Sequence, residues 1–165
     1  MRLPIYLDYN ATTPVDERMF DAMKPFFMEQ FGNAASSGHA FGNIAKNAVE
    51  SARATIASAI NATPEEIIFT SGATESNNLA IKGAYKMLAQ TRNTIITAPT
   101  EHKAVLDTCN SLEKDGVTTT YLIVDSVGNI NLDELANSIT EKTFLVTIMH
   151  GNNVIGTLHD IQKIG

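Results

Sequence analysis

Apolar residues recur at every third or fourth position over several stretches of the chain, which is the spacing of one face of an α-helix. This spacing predicts helices over residues 16–30, 39–61, 74–90, 103–114 and 131–138, with a short last helix beginning near residue 160. Short β-branched or apolar runs predict strands over residues 67–70, 94–97, 118–124 and 143–149. The last of these runs is the most apolar, so we expect it to be a central strand.

Predicted strands and helices alternate from residue 67 onward, which favours a parallel sheet covered by helices. Residues 1–15 become polar and turn-rich after Leu7, so they are predicted to be irregular. Residues 31–39 carry Gly, Asn and Ser without periodicity and are predicted to form a loop. The sequence TPEE at 63–66 predicts one helical turn with a capping box, because Thr stands at the cap, Pro at the first helical position and Glu three residues after the Thr.

Composition and charge exclude several classes of partner. No apolar run approaches the roughly 18 residues of a membrane span. The apolar start of the chain is interrupted at Asp8, which is too early for a secretory signal. A cytoplasmic location is therefore expected. The net charge of −6, without a Lys or Arg cluster, disfavours nucleic acid. The single cysteine, Cys109, cannot form an internal disulfide and has no partner at metal-ligand spacing, so we expect a reducing compartment and no metal site.

Three polar stretches, at 71–74, 100–102 and 150–153, each follow a predicted strand. Ligands of an open parallel sheet bind at the carboxyl ends of its strands, so we expect these stretches to converge there. The first, Ser-Gly-Ala-Thr, leads into a predicted helix, and N–H groups at a helix N-terminus can hold a phosphate. The same tetrapeptide is equally typical of a simple helix cap, so both interpretations stand.

His102 and Asn153 are the candidate side chains of the other two stretches. An imidazole can stack on a ring or transfer protons, and an amide can bind a ring oxygen or a carboxylate. Each has a structural alternative, a helix cap or surface position for His102 and a plain turn before Gly156 for Asn153. Glu101 could accept a backbone N–H, although nothing assigns it as a base. The remaining histidines are expected to be structural or exposed: His39, His150 and His159.

Five blocks together resemble the N-terminal part of a cysteine desulfurase. They are DYNATTP at 8–14, FGNAASSGHAFG at 31–42, FTSGATESNNLAIKG at 69–83, TEHKAVLDTC at 100–109 and MHGNNVIG at 149–156. That family belongs to the fold-type I enzymes that depend on pyridoxal 5'-phosphate (PLP). The resemblance implies an α/β fold, the three-layer aspartate-aminotransferase-like large domain with a mainly parallel sheet, here incomplete. Residues 16–165 would form the N-terminal portion of this PLP-binding domain.

The resemblance also implies a role for each candidate residue. Ala73 and Thr74 would bind the PLP phosphate. His102, the catalytic residue, would stack over the pyridine ring and take part in proton transfers, and Asn153 would bind the ring hydroxyl and help to place the substrate carboxylate. The implied activity converts L-cysteine to L-alanine and an enzyme-bound persulfide, for iron-sulfur cluster assembly. The implied partners are a second subunit in a homodimer and an iron-sulfur scaffold or another sulfur-acceptor protein.

The chain departs from the family pattern at Ala34, where Pro is usual, at Val154, where Glu is usual, and at Gly151, which replaces a larger apolar residue. The family's Schiff-base lysine, its pyridine-pairing Asp and its sulfur-accepting cysteine lie outside the matching blocks. We therefore expect an incomplete fragment that is inactive alone and, because of open sheet edges, a dimer or higher assembly. The alternatives are a non-catalytic interaction module and one half of a split PLP enzyme.

Overall fold

The computed structural model describes residues 4–88 and 91–165. The chain forms two compact units, Met1–Phe69 and Thr70–Gly165. Residues 4–15 contain neither helix nor strand. Within the described residues, none of the helices has the length and apolar character needed to cross a membrane. The assignment of residues 16–165 to a single larger domain stays a prediction.

The first unit contains helices α1 (Glu17–Met28) and α2 (Ala40–Ala59) and a 3₁₀ turn, Pro64–Glu66. Side chains mark both helix starts, since the Asp16 carboxylate accepts the Arg18 N–H at 2.9 Å and His39 Nδ1 accepts the Gly42 N–H at 3.2 Å. The predicted capping box is confirmed. The Glu66 carboxylate accepts the backbone N–H of Thr63 at 2.7 Å and its hydroxyl at 3.0 Å.

The second unit alternates helices with strands, as predicted. Its helices are α3 (Ala73–Leu88), α4 (Lys103–Glu113), α5 (Leu132–Ser138) and α6 (Ile161–Ile164). Its strands are β1 (Thr94–Thr97), β2 (Thr118–Tyr121) and β3 (Thr143–Thr147). Strands β2 and β3 end two or three residues earlier than the sequence predicts. The predicted end of α3 at Gln90 lies outside the described residues.

The three strands form a parallel sheet in the order β2-β1-β3, which confirms the predicted strand direction. The prediction that the 143–149 run is the central strand is wrong for this sheet, because β1 lies between the other two. Ile95 and Ile96 of β1 are both 0% exposed, whereas β3 has one buried residue, Phe144, which is 7% exposed. A strand can be apolar because helices cover its faces, whatever its position in the sheet. Apolar content alone therefore does not identify the strand that has a neighbouring strand on each side.

The predicted strand at residues 67–70 is also absent. The Ile67 backbone is extended (φ −91°, ψ 121°), but none of the described residues pairs with this segment in a strand ladder. Ile68 and Phe69 are 68% and 47% exposed. The Ile67 carbonyl accepts a hydrogen bond from the Arg53 guanidinium instead. A β-branched run sets the backbone conformation, but a strand also requires a partner.

Two apolar clusters cover the two faces of the sheet, because consecutive strand residues such as Ile95 and Ile96 point to opposite sides. The Ile95 cluster includes side chains of α3, α4 and β3: Ile81, Val105, Cys109, Leu112 and Phe144. The Ile96 cluster includes Leu135 of α5 and Ile164 of α6. The second unit is therefore a three-layer α/β structure, as predicted.

Candidate functional site

The neighbouring strands β1 and β3 end side by side. Thr97 pairs with Thr147 in the parallel register, and the Thr97 hydroxyl donates a hydrogen bond to the Thr147 carbonyl at 2.9 Å. The segments that follow, residues 98–102 and 148–153, therefore leave the sheet from adjacent positions. This is the arrangement that places ligand-binding loops together in open parallel sheets.

Two further hydrogen bonds join these segments beyond the strand ends. The Met149 N–H donates to Glu101 Oε1 at 2.6 Å, and Asn152 Nδ2 donates to the Thr100 carbonyl at 2.9 Å. The sequence prediction that the second and third polar stretches converge is confirmed by these contacts. The first polar stretch begins α3, which packs against α4 and β3.

His102 caps helix α4. Its Nδ1 atom accepts the Ala104 N–H at 3.1 Å, and the residue is exposed. The capping interpretation is therefore correct. Because Nδ1 serves as an acceptor, the neutral ring carries its proton on Nε2. The cap occupies Nδ1 and the residue stays exposed, so capping is compatible with a contact to a ligand.

Asn153 lies exposed on a tight turn that Asn152 shapes. The Asn152 carbonyl oxygen Oδ1 accepts the N–H groups of Val154 at 2.8 Å and Ile155 at 3.1 Å, which is an Asx turn. Gly156 closes the turn with φ 75° and donates its N–H to the Asn152 backbone carbonyl at 3.0 Å. The turn predicted as the structural alternative for Asn153 is present, and its role in binding stays a prediction.

The start of helix α3 presents backbone N–H groups at an open position. The first N–H groups of a helix have no intrahelical acceptor, and here they include those of Ala73 and Thr74. Gly72 precedes them without a side chain, and a Cβ built there would meet no atom within 4 Å. The space beside Gly72 is therefore open, and Ala73 and Thr74 are themselves exposed.

Ser71 is already hydrogen-bonded within the protein. Its N–H and hydroxyl both donate to the Glu75 carboxylate, at 2.6 and 2.7 Å. These bonds, the hydroxyl bond most of all, hold the pKa of Glu75 below its usual range. Both donors of Ser71 are therefore occupied within the protein, and the predicted role of Ala73 and Thr74 as phosphate-binding residues stays a prediction.

Glu101 is buried, with 8% of its surface exposed. Burial raises the pKa of its carboxyl group, and the hydrogen bond from Met149 offsets part of that rise. The sequence prediction that Glu101 could accept a backbone N–H is confirmed. Sequence reasoning missed the contribution of Asn152, although an Asn immediately before a turn is the usual signal of an Asx turn.

The other titratable candidates behave as structural residues. His39 caps α2, His150 is exposed and His159 is 6% exposed. Cys109, on the buried face of α4, has 0% exposure, and burial raises the pKa of its thiol to about 11. Among the residues that the structure describes, no three His, Cys, Asp or Glu side chains are grouped to hold a metal ion.

Sequence comparison matches residues 5–165 to the aminotransferase class-V family. The cysteine desulfurase IscS of Rickettsia massiliae is 52% identical over 165 residues, which are all of this chain and 40% of that protein. The protein of the same name from Neisseria meningitidis serogroup C is 54% identical over 165 residues, or 41% of its length. This chain therefore spans about 40% of the length of these curated relatives.

Solved structures give the same result. A NifS-like protein superposes with a TM-score of 0.93 and 42% identity, covering 97% of this chain and 44% of the other. A structure described as SspA in complex with cysteine gives a TM-score of 0.90 and 43% identity, covering 96% and 46%. The resemblance carried by the five sequence blocks is thereby confirmed, and the chain belongs to the aminotransferase class-V family.

Proposed function

We propose that this chain is the N-terminal portion of a PLP-dependent cysteine desulfurase, which converts L-cysteine to L-alanine and a protein-bound persulfide for iron-sulfur cluster assembly. The observation that carries the proposal is the pair of hydrogen bonds joining the loop of His102 to the turn of Asn153 at the carboxyl edge of the sheet. The identity to proteins named cysteine desulfurase supports the choice of substrate.

The residues present fit the chemistry of PLP. Its phosphate matches the N–H groups of Ala73 and Thr74, which the positive end of the α3 dipole also favours for an anion. Its aromatic ring matches the exposed imidazole of His102. Within the described residues, the buried Thr100 hydroxyl, in the same loop as His102, has no hydrogen-bond partner, so this loop has an unused polar group as well.

Each of these residues has a definite task in the proposed site. Ala73 and Thr74 anchor the phosphate through their N–H groups and the Thr74 hydroxyl. His102 Nε2 holds or transfers a proton while the Ala104 N–H keeps the ring oriented. The Asn153 amide binds a ring oxygen and orients the substrate carboxylate. The bound PLP supplies an electron sink for the carbon chemistry, and the protein supplies the orientation.

The proposal also includes an assembly. Large apolar side chains are exposed in both units, among them Leu7, Phe27 and Val154. Such surface is typical of protein that is covered by further polypeptide. We propose that a homodimer of the cytoplasmic enzyme covers it and that an iron-sulfur scaffold or another acceptor protein receives the sulfur.

Replacing Ala73 by Pro is expected to weaken PLP binding by about tenfold. Ala73 is the first residue of α3, a position where Pro is tolerated, so the helix should persist while one phosphate donor is lost. The matched control is Ala40→Pro, the first residue of α2. PLP titration followed by cofactor absorbance, with circular dichroism for helix content, makes the comparison. Equal affinity of Ala73→Pro and wild type would contradict the assigned phosphate position.

A further inference from the structure

The Glu101 carboxylate lies at the junction of the two loops that carry His102 and Asn153. It is buried, and its Oε1 atom accepts the N–H of Met149, which is 48 residues away in the sequence. Burying a carboxylate is costly unless hydrogen bonds compensate. The bond to Met149 is such a compensation, and it joins the two segments that follow β1 and β3.

Asn152 makes the second link, and it uses both ends of its amide. Its Nδ2 donates to the Thr100 carbonyl, while its Oδ1 accepts the N–H groups of Val154 and Ile155. One side chain therefore shapes the turn that carries Asn153 and attaches that turn to the loop of His102. A side chain that made only the turn would not set the separation of the two loops.

We propose that Glu101 and Asn152 are positioning residues that hold His102 and Asn153 at a fixed separation, so that both can contact one flat ring-shaped ligand. The identity of that ligand as PLP rests on the proposed function. The fixed separation itself rests on the hydrogen bonds alone. Glu101 precedes His102 and Asn152 precedes Asn153, so each positioning residue acts through its immediate neighbour.

The test compares Glu101→Ala, Asn152→Ala and Glu101→Gln. The first two variants each remove one link, and we expect them to shift the NMR signals of the His102 ring and the Asn153 amide and to weaken PLP binding by about tenfold. Glu101→Gln keeps an oxygen that can accept the Met149 N–H, so it should restore most of both properties. The matched control is Thr108→Val, which loses a buried hydrogen bond to the Ala104 carbonyl within α4.

The outcomes separate positioning from general stability. Thr108→Val should leave the His102 and Asn153 signals in place. Unchanged signals in both Glu101→Ala and Asn152→Ala, or equal changes in the Thr108→Val control, would overturn the proposal. If Glu101→Ala does not fold, Asn152→Ala and Glu101→Gln decide the question. Failure of the wild-type chain to bind PLP would count against the proposed function, and the ligand-free NMR signals would still decide the positioning role.

Discussion

Incubation of the 165-residue chain with PLP and L-cysteine is expected to yield no alanine or sulfide above the amount formed by PLP alone. In the proposed site the matching family blocks would supply contacts to the phosphate and the ring, but they include no lysine in the Ser-x-His-Lys context of the family. Lys103, next to His102, has a side chain that is 83% exposed and lies 4.0 Å from Asp107. Without a lysine that links the cofactor, PLP should be held weakly and turnover should be absent.

The control for this assay is a full-length relative, such as the cysteine desulfurase IscS of Neisseria meningitidis, tested under the same conditions. Alanine production by the chain without a partner would contradict the expectation. If the Lys103→Ala variant then lost this activity, Lys103 would be the lysine that links the cofactor. Co-purification then separates the alternatives. A partner that carries a lysine and a cysteine and restores turnover supports a split enzyme, and a partner without them supports an interaction module.

Cys109 is expected to resist alkylation in the folded protein. Burial, with smaller contributions from the carboxylates of Glu113 and Glu101, raises the pKa of its thiol from 9.0 to about 11. The thiolate, which is the reactive form, is therefore about a hundredfold scarcer at pH 8 than for an unperturbed thiol, before the steric effect of 0% exposure is counted. Iodoacetamide labelling followed by mass spectrometry should show an unmodified native chain and full modification in guanidinium chloride.

A matched variant isolates the effect of burial at this position. Cys109→Ser combined with Glu113→Cys moves the thiol four residues along α4 to an exposed site, where labelling at pH 8 should be fast. Rapid labelling of Cys109 in the native chain would show that the thiol is accessible. Cys109 would then be a candidate sulfur acceptor, a role that its buried position argues against.

Helix positions could be predicted well because their signals are local. Asp16 and Asn131 both cap the helices whose starts they predict, and the Asn131 carbonyl oxygen Oδ1 accepts two N–H groups of α5 at 2.8 and 3.1 Å. The strand at residues 94–97 was also predicted with the observed bounds. In each case the residues that determine the element lie within it or beside it.

The errors concern features that depend on distant residues. The 67–70 run has the composition of a strand, but its ladder partner cannot be read from its own residues. The central strand was assigned by apolar content, whereas its place is set by which strands pair with it. Likewise the bond from Asn152 to Thr100 spans 52 residues and leaves no local pattern. The convergence of the two loops was predictable from the general rule for parallel sheets, but the residues that fix it were not.

The most direct test of the proposed site is an NMR titration of the wild-type chain with PLP. If the proposed site is correct, the NMR signals of the Ala73 and Thr74 backbone amides, the His102 ring and the Asn153 side-chain amide should shift together, with one common dissociation constant for PLP. Inorganic phosphate should shift the Ala73 and Thr74 amides alone. Shifts confined to other residues, or separate constants for the α3 start and the two loops, would contradict a single PLP site in this chain.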